Sequence, residues 1–77
     1  MFKKGQSVHI INQTMSGKFF VEGTAKIIKP TDVEGRYLVR FPERAGAIQC
    51  ERFVDELAQS DPQAYVNTMN NNRSAVA

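Results

Sequence analysis

The residue types that could perform chemistry are scarce in this 77-residue chain. Cys50 is the only cysteine and His9 the only histidine. A nucleophilic thiol needs a base beside it. The strand pattern points Cys50 inward, where cysteine packs as a small hydrophobe, and points His9 outward. Asp55 and Glu56 are neighbours in a predicted helical turn and point apart, so they predict no acid–base pair. These residues favour a non-enzymatic protein.

Cofactor and metal sites have no recognisable motif in the sequence. One histidine, one cysteine and scattered carboxylates do not form a zinc-type ligand set, and the five glycines are isolated rather than arranged as a phosphate-binding loop. We therefore predict no cofactor and no metal. The lone cysteine leaves no disulfide within the chain.

The first residues carry positive charge without the apolar segment of a signal peptide. Lys3 and Lys4 are followed at once by Gly5-Gln6-Ser7, and no apolar run approaches the length of a membrane span. This pattern predicts a cytoplasmic protein with no membrane contact.

The elements that position these residues are organised around a hairpin over residues 19–41. In its first strand the apolar or small residues alternate, which is typical of a half-buried strand and places Phe19, Val21, Ala25 and Ile27 inside. The second strand alternates in the same way and places Tyr37, Val39 and Phe41 inside. Gly23 interrupts the first strand and indicates a bulge, a bend or a close backbone approach.

Shorter elements flank this hairpin. Val8 and Ile10 face inward from an opening strand, and a fourth strand over residues 47–52 alternates through Ile48 and Cys50. Phe53 and Leu57 are four residues apart, which predicts a helical turn that closes the barrel end. Asp61 and Pro62 mark a helix start. We predict a mainly β domain over residues 1–58, a helical appendage over 59–71 and a disordered tail over 72–77.

Two short motifs resemble known small barrels. The opening Gly5-x-x-Val8 and the strand Val21-x-Gly23-x-Ala25-x-Ile27 look like the start of KOW-type and related SH3-like modules. The resemblance covers about the first 58 residues. It implies a small SH3-like barrel of four or five antiparallel strands.

Three apolar residues fall on the predicted outward face, namely Phe20, Ile28 and Leu38, and Ile11 joins them from the first strand. Such residues on neighbouring strands can form one interface patch for a protein partner or for self-association. Alternatively, the C-terminal helix folds back and covers them with Tyr65, Val66 and Met69. A homo-oligomer would also supply the stability that a chain this short otherwise lacks.

The basic residues are concentrated in the first half of the chain. Residues 1–40 contain seven of the ten lysines and arginines but three of the eight acidic residues. Lys26, Arg36 and Arg40 share the predicted outward face, and Lys18 lies at a strand end. Clustered cations near an aromatic residue are compatible with nucleic-acid binding, because phosphates supply affinity and stacking grips bases. Nucleic acid is therefore the second predicted partner class.

A further resemblance concerns an enzyme family, the type II dihydrofolate reductases, which are SH3-like barrels that assemble as tetramers around a central pore. Glu34-Gly35-Arg36-Tyr37 followed by Gly46-Ala47-Ile48-Gln49 resembles their Glu-Gly-Tyr strand entry and their pore strand. Ile48 and Gln49 match the valine and glutamine of that pore motif. Cys50 and Glu51 stand where the family has isoleucine and tyrosine, and Ile11-Asn12 replaces its tandem lysines. These replacements would repel the anionic cofactor NADPH, although the multimeric architecture stays compatible.

Overall fold

Four antiparallel strands form one curled sheet in this computed structural model, which describes residues 2–44, 46 and 48–76, with side chains described up to residue 72. The strands are β1 (Ser7–Gln13), β2 (Phe19–Pro30), β3 (Arg36–Arg40) and β4 (Gln49–Phe53). Their spatial order follows the sequence, β1-β2-β3-β4. A 3-10 turn (Glu56–Ala58) and a C-terminal helix α1 (Pro62–Val76) follow. The predicted mainly β fold with a C-terminal helix is confirmed, as a half-barrel.

The core lies on the concave side of this half-barrel. Its buried members are all apolar and come from β1, β2 and β3 and from the residues just after β3 and β4: Val8, Ile10, Ala25, Ile27, Val39, Phe41 and Val54. Phe2, Tyr37 and Cys50 pack against them as half-buried neighbours. Burying one such large apolar side chain contributes about 1.5–3 kcal/mol. The predicted inward phase is confirmed for Ala25, Ile27, Val39 and Phe41.

A β-bulge in the middle of β2 changes the side-chain phase of its first half. Ile10 lies opposite Gly23, but the next residue, Ile11, lies opposite Val21, so Glu22 is the extra residue. The prediction that Phe19 and Val21 point into the core is therefore wrong, because the bulge turns both to the other face, where they are half-buried. Gly23 has φ 155°, in a region that favours glycine, so the interruption read from the sequence is a bulge.

Two carboxamide side chains satisfy the backbone at strand edges. Gln59 accepts the His9 N–H at 2.7 Å and donates to the His9 carbonyl at 3.1 Å. Asn70 accepts the Phe19 N–H at 2.8 Å and donates to the Phe19 carbonyl at 3.1 Å. Each side-chain amide thus makes the two hydrogen bonds that the backbone of a residue in a neighbouring strand would make. The two pairs also attach the C-terminal segment to β1 and β2.

Helix α1 begins where the sequence predicts and ends later. The Asp61 carboxylate accepts the Ala64 N–H at 3.1 Å, an N-cap contact, and Pro62 occupies the first turn. The predicted end was residue 71, whereas the helix continues to Val76 because neither glycine nor proline interrupts the asparagine run. Ala77 lies outside the described residues. No helix in the described part of the chain is long and apolar enough to cross a membrane.

Candidate binding groove between β1 and β4

The predicted cationic residues separate into different regions. Lys26 of β2 lies directly opposite Arg40 of β3, and both are exposed. Arg36 lies at the other end of β3, where its Nε is 3.1 Å from Glu51 Oε1. Lys18 precedes β2 in the turn after β1. The structure therefore brings Lys26 and Arg40 together and leaves Arg36 and Lys18 apart from them.

The predicted apolar interface residues are divided in a similar way. Leu38 pairs with Lys29, and the register shift beside that pair makes Ile28 the extra residue of a second bulge. Ile28 and Leu38 are therefore neighbours, and both are half-buried. Phe20 pairs with Asn12 at the opposite end of β2 and is 38% exposed.

The helix considered as an alternative cover for these residues packs on β1 and β2. The described part of α1 approaches β1, β2 and the 3-10 turn but not β3, so Leu38 is not beneath it. Val66 is buried, while Tyr65 and Met69 are half-buried.

The residues considered for catalysis do not meet. Cys50 pairs with Val39 and packs against the core, whereas His9 lies on the opposite face, with Nδ1 3.4 Å from Thr24 Oγ1. Ile48 and Gln49, which match the pore motif of the reductase family, are both exposed at the start of β4. Among the described residues, no three histidine, cysteine or acidic side chains are grouped as metal ligands.

A concavity lies where β1 and β4 face each other without pairing. We call it the seam groove. Its walls come from the ends of β1 and β4, the start of β2 and β3, the 3-10 turn and α1. The lining residues are Ile11, Asn12, Gln13, Phe19, Gly35, Arg36, Glu51, Arg52, Phe53, Val54, Asp55, Glu56, Leu57 and Tyr65.

Apolar side chains on this surface are unusually exposed. Phe53 is 59% exposed and Leu57 is 78% exposed, although both are large hydrophobic residues. Ile11, Phe19 and Tyr65 add half-buried apolar area to the same groove. Clustered exposed apolar side chains with a polar rim mark interaction sites more often than scattered ones do.

The rim of the groove is ordered by polar contacts. The Arg36 guanidinium lies 5.6 Å from the centre of the Phe53 ring, across the β3–β4 pair. Asp55 accepts the Leu57 N–H at 2.9 Å and the Tyr65 hydroxyl at 2.8 Å. The hydrogen bond to Asp55 raises the pKa of Tyr65 above its ordinary value.

A carboxylate connects residues on the two sides of the groove. Glu22 accepts two hydrogen bonds from Arg52 at 2.9 and 3.1 Å, one from Arg44 at 3.2 Å and one from Asn12 at 3.2 Å. The Glu22 side chain is only 8% exposed. Asn12 belongs to β1, Glu22 to β2 and Arg52 to β4. This Glu22 bridge therefore connects β1 with β4, which do not pair with each other.

The bridge perturbs the acidity of its members. The hydrogen bonds from Arg52 lower the pKa of Glu22, and they outweigh the opposing effect of burial. The same contact raises the pKa of Arg52. The Arg44 guanidinium also lies 4.1 Å from the centre of the Phe41 ring. The turn after β3 is thereby attached to both the core and the bridge.

The sequence-based prediction missed the two most exposed residues of the groove. Phe53 and Leu57 were assigned to packing at the barrel end because of their four-residue spacing. In the structure Phe53 instead continues β4, and it shares a face with Gln49 and Glu51. The alternation already visible in that strand could have placed it outward, since Phe53 is two residues beyond the polar Glu51.

Comparisons with protein-family models, with curated proteins and with solved structures find no match to this chain.

Proposed function

We propose that this chain is a non-enzymatic binding module of the small SH3-like type, which binds a protein partner through the seam groove. The observation that carries the proposal is the exposure of Phe53 and Leu57 side by side with ordered polar contacts on one concave surface. Leaving such apolar area in water opposes folding, because each side chain would stabilise the protein if it were buried. A partner that covers them recovers that free energy.

The polar contacts support a prearranged surface. Asp55 fixes both the 3-10 turn and the Tyr65 hydroxyl, and the Glu22 bridge holds β4 relative to β2. A surface whose side chains are already ordered loses less conformational entropy when a partner binds. The groove therefore combines apolar area, which supplies affinity, with fixed polar groups, which supply specificity.

The experiment is a selection of binders from a displayed library of random peptides, followed by affinity measurements with the enriched peptides. We expect Phe53→Ser and Leu57→Ser each to weaken binding by about thirtyfold, the scale of an interface hot spot. Val33→Ser is the matched control, because Val33 is 49% exposed but lies in the β2–β3 turn outside the groove. Enriched peptides that bind all three variants equally would contradict the proposal.

Anion binding is a second candidate function, favoured by the Lys26–Arg40 pair. Like charges directly opposite each other on neighbouring strands are destabilising. The flanking cross-strand partners, Ser7 and Gln49, carry no compensating charge. A nucleic-acid phosphate placed between the two cations would relieve their repulsion.

Anisotropy of a labelled single-stranded oligonucleotide tests this candidate. We expect Lys26→Glu to weaken binding and to reduce its salt dependence, whereas Lys18→Glu, at the distant turn, leaves both unchanged. Binding that is insensitive to salt, or equally sensitive to both substitutions, would contradict it.

Self-association is a property that we assign to the surface formed by Ile28 and Leu38 rather than to the groove. Native mass spectrometry of the unmodified chain and of Leu38→Glu measures it directly. A multimer that the substitution dissociates supports this assignment, and a monomer in both samples removes it.

A further inference from the structure

The outer edge of β4 has backbone groups that the sheet does not use. The Phe41 N–H donates to the Ile48 carbonyl and the Val54 N–H donates to the Gly35 carbonyl, both at 3.0 Å. These contacts fix which pairs of the antiparallel β3–β4 ladder are hydrogen bonded, and hydrogen-bonded pairs alternate with unbonded ones. Ile48 and Val54 therefore direct their backbone groups toward β3. The residues next to them in β4, and every second residue from there, direct their N–H and carbonyl groups away from β3.

These outward residues are Gln49, Glu51 and Phe53. The orientation is supported by Arg52, whose Nη1 donates to the Glu51 carbonyl at 2.8 Å from outside the ladder. Glu51 and Phe53 also line the seam groove, so their outward backbone groups lie along its wall. The groove therefore has main-chain donors and acceptors as well as apolar side chains.

Among the described residues, unpaired backbone groups of β1 and β2, unlike those of Phe53 on β4, are hydrogen bonded to side chains. The Gln59 carboxamide bonds to the N–H and carbonyl of His9 on β1, and the Asn70 carboxamide bonds to those of Phe19 on β2. No side chain in the described part of the chain caps Phe53 on β4 in this way. Unpaired strand edges favour the addition of another strand.

The side chains around this edge indicate what the added strand would carry. Phe53 and Leu57 offer contacts to apolar residues, which in a strand recur at every second position. The lining contains three acidic residues, Glu51, Asp55 and Glu56, and two basic residues, Arg36 and Arg52, so its formal charge is negative. A segment with alternating apolar residues and a basic residue near one end fits this arrangement.

A second copy of β4 fits poorly. Antiparallel self-pairing over the outward groups of Glu51 and Phe53 brings either Glu51 opposite Glu51 or Arg52 opposite Arg52. Like charges directly opposite are destabilising. The occupant is therefore better supplied by another protein than by this chain.

We propose that the seam groove takes an extended, apolar and basic segment of a partner protein as an added strand along the free edge of β4. This inference rests on the proposed protein-binding function and specifies its mode. The partner's main chain bonds to Phe53 and to the N–H of Glu51, and its alternate side chains cover Phe53 and Leu57.

The test is an N-methyl scan of a peptide enriched in the library selection. Each amide of the peptide is methylated in turn, and its affinity for the unmodified protein is measured. Strand addition predicts that methylation at every second position weakens binding by about tenfold or more, while the positions between them tolerate it, because only alternate amides of the added strand are directed at β4.

Substitutions at Glu51 test the same contact from the protein side. Glu51→Pro removes an N–H that points away from β3, a position where a strand tolerates proline. Glu51→Ala is the matched control, because it also removes the carboxylate but keeps the N–H. We expect about tenfold weaker binding for the proline variant and less than about threefold for the alanine variant. Far-UV circular dichroism verifies that both variants are folded.

The outcomes separate the two proposals. Peptides that need Phe53 but show no two-residue period in the scan would overturn strand addition and leave the groove as the binding site. Equal affinities of the proline and alanine variants would overturn it in the same way. Peptides indifferent to Phe53→Ser, or the enrichment of no peptide, would overturn the proposed function together with this inference.

Discussion

Replacing Glu22 by glutamine tests the bridge that holds the two sides of the groove. The substitution keeps the shape of the side chain, but its amide nitrogen faces guanidinium donors that previously met a carboxylate oxygen. Each carboxylate oxygen of Glu22 accepts two of the four hydrogen bonds, so at least two bonds are lost in the variant. The other two then go to a neutral acceptor instead of a charged one.

The magnitude follows from burial. A hydrogen bond to a charged group contributes about 1.5–3 kcal/mol when it is protected from water. The side chains of Arg52 and Arg44 are 30% and 39% exposed, so water partly replaces what they lose. We expect Glu22→Gln to lower the free energy of unfolding by about 2 kcal/mol. In a domain of this size that corresponds to a Tm about 8–16 °C lower.

The assay is urea and thermal unfolding followed by circular dichroism, with Glu34→Gln as control. Glu34 is an exposed carboxylate in the β2–β3 turn, and its replacement should change stability by less than about 0.5 kcal/mol. A loss below about 0.5 kcal/mol for Glu22→Gln as well would show that the bridge does not stabilise the fold.

The pH dependence of the stability gives an independent check on the same bridge. Because the pKa of Glu22 in the folded protein lies below its ordinary value of 4.5, the folded state binds the proton less readily than the unfolded chain. The stability that Glu22 contributes is therefore present above pH 4.5 and is lost as the pH falls through the lower folded-state value. The difference between the unmodified protein and Glu22→Gln should shrink over that range.

Three further substitutions test the fold around the site, each by urea unfolding. Gln59→Glu removes the donor that meets the His9 carbonyl and should cost about 1–3 kcal/mol, whereas a deficit under about 0.5 kcal/mol would contradict the edge cap. Gly23→Ala should cost about 1–3 kcal/mol. The added Cβ would meet no close neighbour, so this cost would come from the backbone φ of 155°, and an unchanged urea midpoint would contradict it. Lys26→Glu should stabilise by about 0.5 kcal/mol by pairing with Arg40, and destabilisation would argue against their repulsion.

Much of the fold could be predicted because strand periodicity is a local signal. Alternation identified Ala25, Ile27, Val39 and Phe41 as core residues, and Asp61 with Pro62 marked the start of α1. The phase error at Val21 arose because a bulge adds one residue on one strand only. Gly23 indicated an interruption, but the sequence does not state on which side of the glycine the extra residue falls.

The candidate site was less predictable because it depends on contacts between distant segments. Glu22 and Arg52 are thirty residues apart along the chain, and no local pattern joins them. Gln59 and Asn70 look like ordinary polar residues until the sheet brings strand edges beside them. The groove itself exists because β1 and β4 remain unpaired, and that follows from three-dimensional closure rather than from either strand's sequence.

The most direct test of the groove as a binding site is a titration of isotopically labelled protein with an enriched peptide, followed through backbone amide NMR signals. We expect the largest shifts on Glu51, Phe53, Leu57 and Tyr65, around the seam groove. Shifts centred instead on Lys26 and Arg40, with the groove signals unmoved, would contradict it.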